Sequence, residues 1–268
     1  MRLPATISAC LAFAILAGAA TAKPPRLVLE LAPDLDQRPP YGVFVTSTAR
    51  GRFRLAFGSA VDNVGAGPLV LVGVRRKPSS RLLIANQRVR LSNGRSRVYR
   101  EVGSLRYVNA ETHSHWHFLP FERYELRRAS DDALVVRDRK SGFCLRDSHR
   151  TTLRPVAPRA GPAFFGFCAS GETGISRLVE GASVGSSDRY PGNLEGQYLD
   201  ITGVKAGLYF LVHRVNPKKA LVEGDYENNE ASLLIRISWP GGRSSTPRAQ
   251  VLRTCERTGR CGRQPKKS

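Results

Sequence analysis

Nearly every apolar run in this chain is short and closed off by Gly, Pro, Asn or Asp. Such runs occupy 27–31, 42–46, 53–57, 69–74, 118–126, 198–201, 208–215 and 232–237. Several alternate apolar with polar residues, as in Arg52-Phe53-Arg54-Leu55-Ala56-Phe57. A period of two belongs to strands with one face buried, because successive side chains point to opposite sides. No stretch of ten or more residues carries a helical period. The expected fold is all-β, an antiparallel β-sandwich with long irregular loops. Two excursions stand out: 151–163, with Pro155, Pro158 and Pro162, and 170–189, rich in Gly and Ser. Loops of that length are usually functional or disordered.

The first 22 residues read as a signal peptide: Arg2, an apolar stretch from Ile7 to Ala19, then Ala20-Thr21-Ala22. A lipoprotein box ending at Cys10 is the rival, but the apolar core follows Cys10 instead of preceding it. No apolar stretch is long enough for a transmembrane segment. The expected location is secreted or extracytoplasmic. Residues 23–240 are expected to form the functional domain, and 241–268 a basic, largely flexible tail. Four cysteines follow the signal: Cys144, Cys168, Cys255 and Cys261. In an exported chain these favour disulfides, Cys144–Cys168 across a loop and Cys255–Cys261 as a small ring in the tail. The CxxC pairs of thiolate zinc sites are absent.

The formal charge of +20 favours anionic partners such as cell-surface polymers. Nucleic acid is not expected, because the arginines are scattered with no basic helix or aromatic stacking motif beside them.

Three of the five histidines fall within five residues, as His113-Ser114-His115-Trp116-His117. On a strand all three imidazoles share one face, with Trp116 and Phe118 on the other. Three neutral imidazoles suit copper or zinc with open positions left for water, oxygen or substrate. Spacing alone leaves the two metals open, and a zinc hydrolase or a non-catalytic metal-binding sandwich adhering to anionic surfaces fits it too. Further on, Glu223, Asp225, Asn228 and Asn229 gather oxygen donors within seven residues. Hard cations such as calcium bind such sets; an ion-free hairpin turn uses the same residues.

The order of motifs resembles the lysyl oxidase catalytic domain. The histidine triplet is followed by Arg139-Lys140-Ser141-Gly142-Phe143-Cys144-Leu145-Arg146-Asp147, then Asp188-Arg189-Tyr190 and Gln197-Tyr198-Leu199-Asp200-Ile201-Thr202. Val215-Asn216-Pro217 and Glu223-Gly224-Asp225-Tyr226-Glu227-Asn228-Asn229 close the likeness, which covers about 33–237. The resemblance implies copper on His113, His115 and His117, and a lysine tyrosylquinone cofactor made from Lys140 and Tyr190. It implies Asp188 as the base, and a calcium site completed by Asp34 and the backbone carbonyl of Leu35. The implied reaction is oxidation of primary amines, peptidyl lysine or alkylamines, by O2 to aldehydes, with release of ammonia and hydrogen peroxide. Without the resemblance, Lys140 reads as a solvated strand residue, Tyr190 as a turn aromatic and Asp188 as a turn cap.

Overall fold

A computed structural model describes residues 27–110, 113–138, 142–256 and 260–261. Lys140 and the expected signal peptide lie outside the described residues. The described chain contains no helix and builds three antiparallel sheets, the expected all-β class. Nothing among the described residues is a helix long and apolar enough to cross a membrane.

The chain opens with β1 (Glu30–Leu31), β2 (Leu35–Gln37), β3 (Tyr41–Ser47) and β4 (Phe53–Asn63). Ten of the eleven β4 residues are buried. It is a central strand, flanked along one edge by β2 and β3. Next come β5 (Leu69–Val74), β6 (Leu82–Leu91), β7 (Ser96–Ala110) and β8 (His113–Leu119), a run of neighbours in one sheet. The apolar run 118–126 is split in two. The turn through the cis Leu119–Pro120 bond separates β8 from β9 (Glu122–Arg128), which joins a different sheet. Pro120 has no N–H to give a ladder, so one continuous strand is ruled out.

β10 (Leu134–Arg137) and β11 (His149–Arg150) lead into the segment expected to be loop. The stretch 151–163 stays irregular, pinned by backbone bonds such as Val156 N–H to Val64 and Ala160 N–H to Val184. By contrast, 170–189 yields β12 (Arg177–Ala182) and most of β13 (Ser186–Tyr190). β12 extends the β8 sheet beyond β5, and β13 pairs with β4. Then follow β14 (Tyr198–Asp200), which also pairs with β4, β15 (Gly207–Val215) and β16 (Glu230–Ser238). Last is β17 (Arg248–Cys255), which pairs with β16 over seven positions. The segment expected to be a flexible tail from 241 thus contributes an edge strand. Its charge hid it: an edge strand with both faces wet needs no apolar alternation.

One core joins the sheets. Leu55 and Phe57 from β4, Leu83 and Leu105 from the β8 sheet, and Leu126, Leu211 and Ile235 from the third sheet are all buried in it. Both expected disulfides are present, Cys144–Cys168 and Cys255–Cys261.

Candidate active site

β8 is the last strand of its sheet. It pairs in register with β7, so His113 faces Ala110, His115 faces Val108 and His117 faces Arg106. The predicted split of faces holds. Trp116 and Phe118 are 1% exposed and belong to the core, while the three imidazoles gather on the opposite face. Their ring centroids lie 4.8–5.2 Å apart. One nitrogen of each falls within 4.8 Å of the others, and Nε2 of His115 is 2.8 Å from Nε2 of His117. Two nitrogens bound at right angles to one metal, each at about 2.0 Å, stand about 2.8 Å apart. The triplet therefore fits a first-row metal. His113 and His115 are half-exposed, leaving an approach from solvent.

The outer edge of β8 is covered by the chain that carries the disulfide. Phe118 and Phe143 exchange backbone hydrogen bonds of 2.8 and 3.1 Å, and Trp116 N–H donates to the Cys168 carbonyl. Gly142 is packed so closely that a Cβ there would lie 2.9 Å from Cβ of His117. Only glycine fits this position.

That same segment reaches Tyr190. The Phe143 and Tyr190 rings meet edge-on, 4.8 Å between centroids. The Tyr190 hydroxyl contacts the Cys144 carbonyl and donates to Asp188 Oδ2 at 3.0 Å. Tyr190 and Asp188 come from β13, whose ladder with β4 sets Asp188 opposite Val61 and Tyr190 opposite Ser59. Asp188 is 3% exposed, and burial pushes its carboxyl up to about 8. The Tyr190 hydrogen bond opposes that rise, and the charge of Glu122 adds to it. Burial also raises the Tyr190 phenol well above its ordinary value, with the charge of Asp188 next in importance.

Sequence reasoning missed two more buried carboxyls. Glu180 on β12 accepts the Leu145 N–H at 3.3 Å, and burial raises it well above the ordinary range. Glu122 on β9 accepts from the Tyr124 hydroxyl at 3.0 Å and from Ser59. A carboxylate inside the apolar run 118–126 was a readable signal for Glu122; Glu180 lay in what passed for loop.

The oxygen-donor cluster is partly assembled. Glu223 Oε2 accepts the Leu35 N–H at 2.8 Å, and Oε1 accepts the side-chain amides of Asn216 and Asn229 at 2.6 and 2.9 Å. Asn228 donates to Asp34 Oδ1 at 2.6 Å. The buried Oδ1 atoms of Asn228 and Asn229 have no hydrogen-bond partner. Burial raises Glu223 to about 7, against the pull of those two amides. Asp225 is exposed, and its Oδ1 accepts the Glu227 N–H.

Comparison with known proteins adds the following. The Lysyl oxidase family model matches residues 75–241. Protein-lysine 6-oxidase of Sus scrofa is 32% identical over 133 residues, 47% of this chain and 45% of that protein. Protein-lysine 6-oxidase of Homo sapiens is 31% identical over 133 residues, 47% of this chain and 27% of its own length. Lysyl oxidase homolog 1 of Bos taurus is 30% identical over 145 residues, 53% of this chain and 21% of its own. The chain spans less than half the length of each of these relatives.

Proposed function

Because the chain belongs to the lysyl oxidase family, we propose that it is an exported copper amine oxidase acting on primary amines, peptidyl lysine or alkylamines. Aldehyde, ammonia and hydrogen peroxide are the products, and O2 is the oxidant. The observation that carries this reading is the contact chain from His117 through Gly142 and Phe143 to Cys144 and Tyr190. It joins the metal-binding face to the quinone-precursor tyrosine through the segment that follows Lys140. The two disulfides support a location outside the cytoplasm.

His113, His115 and His117 would hold copper, and Lys140 joined to Tyr190 would form the lysine tyrosylquinone. Together these groups supply an electrophilic carbonyl and a route for electrons to O2. The remaining work falls to the chain. Phe143 and the Cys144 carbonyl fix the Tyr190 ring. Asp188, in hydrogen-bond contact with Tyr190 and poised near neutrality, takes the proton from the substrate carbon beside nitrogen. Asp188 is buried and Tyr190 half-buried beside it, which leaves the ring an approach from solvent.

The direct test is a peptide map of the mature, copper-loaded protein. A cross-linked Lys140–Tyr190 peptide is expected, together with peroxide release on adding a primary amine. Unmodified Lys140 and Tyr190 in copper-loaded protein would end this reading.

The titration of Asp188 sets a pH dependence. The base works only when ionised, so with its carboxyl near 8, kcat/KM rises with pH through neutrality and levels off above about 8. Asp188→Asn should lower kcat by about 10²–10⁴-fold and remove that limb. A limb that persists in the variant assigns the base elsewhere.

The same reading places calcium among Asp34, the Leu35 carbonyl, Glu223, Asp225, Asn228 and Asn229. The partnerless Asn228 and Asn229 oxygens and the buried Glu223 carboxyl support it. Chelation should lower Tm by about 5–10 °C, with calcium restoring it. A Tm indifferent to chelator means the turn binds no cation.

A further inference from the structure

We propose that Glu122 is a positioning residue of the oxidase site, a buried carboxylate behind Tyr190 that keeps Asp188 basic enough to take the substrate proton. This deepens the reading above and rests on it. Glu122 is 2% exposed and opens β9, where the ladder with β15 sets it opposite Val215. It shares its face with Tyr124 and Leu126, two residues of the core. Both of its carboxyl oxygens are held by hydroxyls. Ser59 donates to Oε1, and Tyr124 donates to Oε2 at 3.0 Å.

Register places that carboxyl beside the quinone-precursor tyrosine. Ser59 on β4 stands directly opposite Tyr190 on β13, and Val61 stands opposite Asp188. Directly opposed residues share a face, so Ser59, Tyr190 and Asp188 all point the same way. The Phe143 ring makes a second link, meeting Tyr190 at 4.8 Å and Tyr124 at 6.1 Å between centroids. Tyr190 is therefore joined to both hydroxyls that hold Glu122, to Ser59 through the ladder and to Tyr124 through Phe143.

The groups around Asp188 act on it in opposite directions. Burial does most to lift its carboxyl to about 8, and the Tyr190 hydroxyl and the Arg146 backbone N–H oppose that rise. The charge of Glu122 adds to it, and the Arg146 guanidinium subtracts from it. From β4 the neighbour is the uncharged Val61. Glu180 on β12 also faces the cluster, but it accepts a single N–H, from Leu145, and burial raises it well above the ordinary range. It brings a proton to the cluster, not a charge. Glu122 differs because two hydroxyl donors support its ionised form. Two carboxylates in one buried pocket resist ionising together, so the charge on Glu122 keeps the proton on Asp188 to higher pH. A base that holds its proton more firmly also draws one from carbon more readily.

Glu122 and Arg146 carry opposite charges, so their variants make opposite predictions. The Asp188 carboxyl is titrated by NMR in metal-free, full-length protein with isotope-labelled aspartate, its signal assigned by its loss in Asp188→Asn. Glu122→Gln should move the midpoint to lower pH, and Arg146→Gln should move it to higher pH. Glu122→Met, an apolar side chain of similar volume, should act like Glu122→Gln and serves if the buried amide prevents folding. In turnover, the fraction of maximal kcat/KM kept at about pH 6 should rise about three- to tenfold in Glu122→Gln. The plateau should fall, because a weaker base abstracts the proton less readily. A merely structural defect lowers the whole profile and leaves its midpoint in place. Unmoved midpoints in both Glu122 variants, or shifts in one direction for Glu122 and Arg146 alike, would overturn the proposal. Midpoints that move as expected in a protein that oxidises no amine refute the oxidase reading alone.

Discussion

Replacing Tyr190 with phenylalanine leaves a folded protein whose peroxide release from primary amines falls to background, at least ~10³-fold below wild type. On the proposed reading the phenol is the atom set from which the quinone would be built, and phenylalanine offers no oxygen to oxidise. The ring itself is retained, so the edge contact with Phe143 persists. What is lost from the fold is the hydroxyl's contacts with the Cys144 carbonyl and Asp188. Buried hydrogen bonds of this kind are worth about 1–2 kcal/mol together, a fall in Tm of about 2–8 °C. The variant therefore separates chemistry from stability. Asp188 loses the hydrogen bond that holds its carboxyl down, so it moves further up and stays neutral. Lys140→Arg should give the same loss of activity, because a guanidinium does not add to a quinone ring at neutral pH. Substantial oxidation by either variant would remove the quinone from the mechanism. Unchanged metal binding with no oxidation would place the defect in the cofactor alone.

The second large effect is on stability. Changing Cys144 and Cys168 together to serine opens a loop with a sequence separation of 24. The loop-entropy estimate for that length is about 3.5 kcal/mol, or about 7–14 °C in Tm for a domain of this size. Activity should fall further than stability does. Cys144 supplies the carbonyl that contacts Tyr190, and Cys168 supplies the one that binds Trp116 on the histidine strand. Calorimetry and peroxide release on the same sample check both halves. A small Tm change with activity intact would show that the backbone bonds alone hold the segment.

What could be read in the sequence follows from where apolar alternation is required. The run 69–74 is a strand with those same limits, because both its neighbours and its core demand it. β13 was invisible for the opposite reason. Its buried residues are Ser186, Ser187 and Asp188, a polar inner face that serves the site and carries no apolar period. β17 escaped because it is a charged edge. The histidine triplet was legible because three imidazoles sit on one strand, where the period of two puts them on one face. The carboxyl cluster was not, since Glu122, Glu180 and Asp188 come from three strands far apart in sequence and only the sheet packing brings them together. Tyr190 and Lys140 gained their roles from motif order, not from any pattern a lone chain displays.

The covered outer edge of β8 links the disulfide to the histidine face. The strand that carries the three histidines is held on one side by β7, and on the other by backbone bonds from Phe143 and Cys168. A chain whose Cys144 and Cys168 are still reduced lacks the covalent link between the two pieces that make those bonds. If the histidines hold metal as proposed, thiol oxidation would then come before metal binding. On the proposed reading, the histidine face would be fully braced only where exported proteins form their disulfides.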